Sequence, residues 1–179
     1  MSVVKSKRKE SEFEVFHNLN KLRTEITELL LYNFGYDMDK AIKKVEKRFG
    51  GRTREQLSPK ENEMFDKIMA KNKAFDDWFI ADERKVVIDC LRSIVELVYI
   101  ANNIYPTCQE ELIERRLYQD KAIGQCYRLV QELQYAIEIL PVDVNKYLRF
   151  GDRIQKEIDL IKAWRKSDNK FKKKIYKEN

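Results

Sequence analysis

Of the side chains suited to proton transfer or nucleophilic attack near neutral pH, the sequence offers one histidine and three cysteines. His17 stands between Phe16 and Leu19 near the start of a helical pattern, with no nucleophile and orienting group spaced to form a triad. An imidazole in that setting serves packing or the surface. Cys90, Cys108 and Cys126 are odd in number, widely spaced and set in helical patterns. This argues against disulfides and zinc ligation and for small apolar packing residues. Glu110, Glu111 and Glu114 lie close together but lack the Glu-x-x-His partner of a di-metal carboxylate site. They read as an acidic first turn that complements a helix dipole. Phe49-Gly50-Gly51-Arg52 lacks the lysine-serine ending of a phosphate-cradling loop. The chemistry expected is therefore binding: a non-enzyme without cofactor or metal.

The charges say what is bound. The net +6 conceals segregation: residues 162–179 hold eight Lys or Arg against Asp168 and Glu178, and residues 40–54 hold seven against Glu46. Clustered cations favour polyanions, because each neutralised phosphate releases condensed counterions. Tyr147, Trp164, Phe171 and Tyr176 lie among these charges and offer faces on which unpaired bases stack. For the final tail alone, a solvated segment that keeps the protein soluble is an equal reading, with Trp164 in the core. Arg115, Arg116, Lys121, Arg128, Arg149 and Arg153 differ in sitting on helical patterns, mostly off the apolar stripes, where a guanidinium suits bidentate phosphate or carboxylate contacts. Ordinary i to i+4 pairing, such as Arg153 with Glu157, accounts for some of them.

These residues need long helices to carry them. Ile123, Cys126, Val130, Leu133, Ile137 and Leu140 recur at spacings of three and four, predicting one apolar stripe. Tyr147, Gly151, Ile154, Ile158, Ile161 and Trp164 predict a second. Between them, Pro141 stops one helix and Asp143 can accept from the free amides of the next, so the two form an antiparallel hairpin. Phe13 to Phe34 reads as a first helix, with Phe16, Leu19, Ile26 and Leu30 on its apolar face and Gly35 at its end. Tyr36 to Ala74 reads as two short helices parted by Gly50-Gly51. The second starts with Ser58 as N-cap, Pro59 at the first position and Glu61 closing a capping box. A further long helix runs from Asp76 or Asp77 to Asn103, and Thr107 with Glu110 caps the one after it. The expected architecture is all-α: an antiparallel up-down four-helix bundle with a helical insertion, residues 36–74, between helices 1 and 2. Gly124 and Gly151 each cost roughly 1 kcal/mol against Ala in mid-helix, which close helix approach, within the bundle or between subunits, would offset.

Composition agrees with this architecture. The chain is 43% hydrophobic and 37% charged with only five Gly and three Pro, the balance of long amphipathic helices. The expected organisation is a flexible basic tail over residues 1–11, a single domain over residues 12–170 and a basic tail over residues 171–179. No apolar run approaches the roughly 20 residues that cross a bilayer, and the opening residues lack the apolar segment of a secretory signal. A cytoplasmic protein without membrane partners is expected.

Tyr118-Gln119-x-x-Ala122-Ile123, Gln131-Glu132-Leu133-Gln134-Tyr135-Ala136-Ile137, Leu140-Pro141 with Asn145-Lys146-Tyr147, and the ending Trp164-Arg165-Lys166-Ser167-Asp168-Asn169 resemble the accessory variability determinant family of diversity-generating retroelements. The chain also resembles the wider set of four-helix-bundle proteins that includes those encoded by intervening sequences in bacterial 23S ribosomal RNA genes. The likeness spans about residues 76 to 170, and its most specific piece is the Trp-Arg-Lys-Ser-Asp-Asn ending. It implies a homopentameric barrel of bundles with a basic surface. Such an assembly binds a reverse transcriptase and its template RNA or cDNA, supporting mutagenic cDNA synthesis and retrohoming, while the partner performs the polymerase chemistry. The resemblance assigns binding to Arg165 and Lys166, Trp164 to anchoring the helix end and Ser167-Asp168-Asn169 to terminating it. The charge argument adds Arg115, Arg116, Lys121 and Arg128. Two other readings stand beside this one: an RNA-associated bundle of the ribosomal type with no polymerase partner, and a purely protein-binding structural module.

Overall fold

A computed structural model describes residues 10–52 and 54–175. Every regular element among them is helical: α1 (Glu10–Leu31), α2 (Met38–Arg48), α3 (Pro59–Ala74), α4 (Ile80–Asn103), α5 (Gln109–Ile139), α6 (Asn145–Ser167) and α7 (Asn169–Ile175). No helix among the described residues is long and apolar enough to cross a membrane. The mobile tail expected over residues 1–11 falls mostly outside the described residues, and its last two belong to α1.

The four long helices pack in neighbouring pairs, α1 with α4, α4 with α5, α5 with α6 and α6 with α1. Their buried residues explain why. On α5, Leu112, Arg115, Gln119, Ala122, Cys126, Leu129, Leu133, Ala136 and Leu140 are buried, an unbroken alternation of three and four that keeps one seam facing its neighbours. On α6 and α7, Tyr147, Phe150, Ile154, Glu157, Ile161, Trp164, Asp168, Phe171 and Ile175 repeat the alternation. The expected α6 stripe holds at Tyr147, Ile154, Ile158, Ile161 and Trp164, and the α5 stripe at Cys126, Leu133 and Leu140, but the rest of each is displaced by one position. Ile123, Val130 and Ile137 flank the core and Gly151 is exposed. Small Ala122 and Ala136 take the centre because bulk is excluded where helices approach closely.

Three connections differ from expectation. First, α3 and α4 are one continuous helical run, Pro59–Asn103, joined by a π-helical segment, Phe75–Phe79, with no cap between them. Asp76 and Asp77 therefore do not start a helix; the backbone stays helical through Ala74 and Ile80, and the extra residue is absorbed as a bulge. Second, Thr107 is bonded by Glu111 and not Glu110: its amide and hydroxyl both donate to Glu111 Oε2, at 2.7 and 2.8 Å. Third, residues 171–175 are not tail. They belong to α7, whose Phe171 and Ile175 are buried against Leu112.

The Ser58, Pro59 and Glu61 start of α3 is a complete capping box. Gly50 and Gly51 end α2 with φ of 72° and 69°, conformations open to glycine without steric cost. At the end of α1 three consecutive residues turn left-handed, Asn33, Phe34 and Gly35. Phe34 is fully buried and its carbonyl accepts the Tyr147 hydroxyl, which holds a backbone conformation unfavourable for a bulky side chain. The feet of the α2–α3 pair join the main core through Tyr36, Ala41 and Phe75. The Tyr36 hydroxyl also donates to the Asn72 carbonyl at 3.0 Å. Further out, Val45, Phe49 and Leu57 form a separate cluster with Phe65 and Ile68.

Candidate nucleic-acid interface

The Trp-Arg-Lys-Ser-Asp-Asn segment lies where the end of α6 meets the first half of α5 and turns into α7. Its innermost member is Asp168, fully buried. Asp168 Oδ2 accepts from Arg115 Nε and from Gln119 Nε2, each at 2.8 Å. The guanidinium of Arg115 also donates through Nη1 to the carbonyls of Ala101 and Ile104, at 3.0 and 2.6 Å, and lies 4.9 Å from the centre of the Trp164 ring. Arg115 therefore stitches the ends of α4, α5 and α6 together. It was expected to contact a polyanion from the surface, but it is only 4% exposed and its charge is consumed inside. The reason is positional: Arg115 falls on the buried three-four seam, where an arginine is stable only with a carboxylate and carbonyls around it.

The other expected residues divide. Arg165 pairs with Asp120 at 2.9 Å across the α5–α6 seam, and Arg128 pairs along its own helix with Glu132 at 3.4 Å. Arg116 donates to the side-chain carbonyl of Asn169 at 2.8 Å. Exposed Lys121 lies 5.4 Å from the Tyr118 ring, and Lys166 is exposed. Arg116, Lys121, Arg165 and Lys166 share the end of the molecule formed by the start of α5 and the end of α6. Arg128 stands about two turns further along α5. Ser167 closes α6 by donating to the Trp164 carbonyl at 2.7 Å. The chain does not stop there, since the Asp168 carbonyl accepts from Phe171 in the first turn of α7.

The aromatic residues expected to stack on bases are mostly core. Tyr147, Trp164 and Phe171 are each 7% exposed or less, and Tyr176 lies outside the described residues. Sequence reasoning missed Gln119 and the anchoring role of Asp168. Their signal was present, since both continue the three-four spacing of apolar neighbours on their own helices.

Two further carboxylates are buried without full partners. Glu157 is fully buried on the α6 seam, takes one bond from Asn18 at 2.7 Å and leaves Oε1 unbonded. Burial pushes its carboxyl up to about 7, against the weaker opposing effects of Asn18 and Lys156. The expected pair with Arg153 is absent, because Arg153 reaches Glu25 on α1 at 2.6 Å. Glu83 on α4, 6% exposed, is likewise pushed up to about 7 by burial and by nearby Glu132 and Asp82. Burial raises the thiol of Cys90 and takes that of Cys126 to about 12, so both are inert as nucleophiles near neutral pH. Among the described residues no group of three or more His, Cys, Asp or Glu is arranged to hold a metal ion. Compared with known proteins, the chain matches no family model, no curated protein and no solved structure.

Proposed function

We propose that this chain is a non-catalytic, cytoplasmic accessory protein of a diversity-generating retroelement, binding a reverse transcriptase and its template RNA as an oligomer. The scaffold in this reading is an antiparallel up-down four-helix bundle of α1, α4, α5 and α6, with α2 and α3 inserted between its first two helices. The closed ring of packed pairs supports it. So does the order of cross-contacts: Asn18, Glu25 and Phe34 meet Glu157, Arg153 and Tyr147 in turn, as antiparallel neighbours must.

The observation that carries the binding reading is the separation, at one end, of anchoring residues from cations that no carboxylate neutralises. Arg115 and Asp168 fix the helices, and Arg116, Lys121 and Lys166 are left without a carboxylate partner among the described residues. The polymerase partner rests on the resemblance in residues 164–169. Homo-oligomerisation draws support from the glycines. A Cβ added at Gly124 or Gly151 would meet nothing within 4 Å, so no approach among the described residues offsets their helical cost. Gly124 shares the outer face of α5 with exposed Ile113, Leu117, Tyr127 and Tyr135, a surface suited to a second copy. The pentamer is the number the resemblance implies.

The test is binding of the purified protein to a structured RNA, titrated from low to physiological salt, with co-purification of a reverse transcriptase encoded beside it. Steep loss of RNA affinity with salt and retention of the polymerase is the expected result. RNA binding without any polymerase moves the chain to the ribosomal-type reading, and polymerase capture without RNA leaves a protein-binding module.

A further inference from the structure

Residues 40–54 carry seven cations, and the fold sorts them into two kinds. Arg52 is held by Glu61 at 2.6 Å and Arg54 by Asp66 at 2.7 Å, both on α3, so these two staple the loop to its neighbour. Lys40 pairs with Asp37 at 3.2 Å. Lys43, Lys44, Lys47 and Arg48 are exposed, and no ion pair joins any of them to an acid among the described residues. Their spacing places them on one face of α2 in two rows a single turn apart. The opposite edge is committed elsewhere: Ala41 enters the main core, and Val45 and Phe49 pack with Leu57, Phe65 and Ile68. Lys44 and Arg48 also border a cleft of about 190 Å³ with Ile68, Asn72 and Pro141, which supports their aliphatic stems while the charged ends face water. The helix dipole accounts for Lys47 and Arg48 in the last turn, but not for Lys43 and Lys44 one turn earlier.

We propose that the outer face of α2, through Lys43, Lys44, Lys47 and Arg48, is a docking surface for the phosphate backbone of double-helical RNA. This deepens the RNA-binding reading above and rests on it. A membrane surface fits less well, because the apolar edge that a helix lays into lipid is already buried against α3. Unpaired bases fit less well too, since α2 presents no exposed aromatic side chain on which they stack. The contact is therefore electrostatic and indifferent to sequence, and it lies on the α2–α3 pair, away from the α5–α6 end where the ending motif drew attention.

The experiment compares the full chain with a K43Q/K44Q/K47Q/R48Q variant for binding to an RNA hairpin across a salt series. Anionic phospholipid vesicles serve as a second probe. Glutamine keeps helix propensity, and circular dichroism checks the fold. The variant is expected to lose about 10- to 100-fold in affinity near physiological salt and to flatten the log–log salt slope by about 2 to 4. E46K, which adds charge beside the same face, is expected to tighten binding. Arg165→Gln with Lys166→Gln is expected to change the slope by 2 at most. If the parent binds RNA steeply while the α2 variant keeps its slope and E46K changes nothing, this surface is wrong and the RNA-binding reading survives. If the parent fails to bind RNA even at low salt, or binds only vesicles, both fall.

Discussion

Arg115 illustrates how a single charged side chain is decided by its neighbours. On a buried seam its charge is stable only because Asp168, two carbonyls and the Trp164 ring surround it. Removing one partner strands the other. Asp168→Ala is expected to cost about 3 to 5 kcal/mol in denaturant unfolding. Arg115→Met combined with Asp168→Leu should cost much less, since no unpaired charge remains; equal losses for the two variants would refute the account. Glu157 makes a second prediction, in pH. Its folded carboxyl titrates near 7 against about 4.3 for an unfolded glutamate, so between these values the folded chain holds the extra proton. Stability therefore falls as pH rises from about 4.5 to 7 and levels off above, by about 3 kcal/mol in total for this group. Glu157→Gln keeps a neutral partner for Asn18 and should raise Tm at pH 8 while removing this group's share of the slope and leaving that of Glu83, which is also raised to about 7. An unchanged pH profile would mean that Glu157 titrates as an exposed acid does.

At the scale of elements, the existence of every long helix was legible, and so was most of the face of α1 and α6, whereas half of the α5 face was displaced. Large Ile and Val residues draw a periodicity argument toward themselves. The true seam of α5 runs through Ala122 and Ala136, whose smallness permits close packing and leaves little mark in a hydrophobicity pattern. Arg115, Gln119, Glu157 and Asp168 broke the binary pattern from the other side, reading as surface because their partners lie on other helices. The π segment was hidden for a different reason. Asp76 and Asp77 imitate a helix start, and only tertiary contacts, with Phe75 against Tyr36 and Phe79 against Tyr135, reveal that the helix continues. Deleting exposed Asp77 should convert the bulge to regular α-helix and turn α3 by about 100° relative to α4. The Tyr36 to Asn72 bond cannot survive that rotation. Amide exchange in α3 should accelerate while α5 and α6 stay protected; unchanged exchange in α3 would mean that the π register does not orient the arm.

The whole molecule divides its labour by place. The helix ends that carry the Trp164–Asn169 segment are mostly occupied with holding the chain together, through Asp168, Arg165 and Asn169. Charge segregation was legible in the sequence, but which cations were free was not, because pairing depends on acids such as Glu61, Asp66 and Asp120 that only the fold brings near. Assembly makes its own prediction. Gly124→Leu fills open space on the outer face of α5 and gains about 0.8 kcal/mol or more of helix propensity. The variant should show a higher monomer Tm together with a smaller mass by light scattering. A smaller mass without stabilisation would mean the substitution disturbed the fold, and an unchanged mass would remove this face from the interface.

The unbroken run from Pro59 to Asn103 has a mechanical side as well. At 1.5 Å per residue it is a rod of roughly 65 Å, its lower part clamped in the core and its upper part forming one wall of the α2–α3 arm. The other helix of that pair, α2, joins α1 through the left-handed turn at Asn33–Gly35. Because α3 and α4 form one rod, a force that bends α3 arrives as a bending moment on α4.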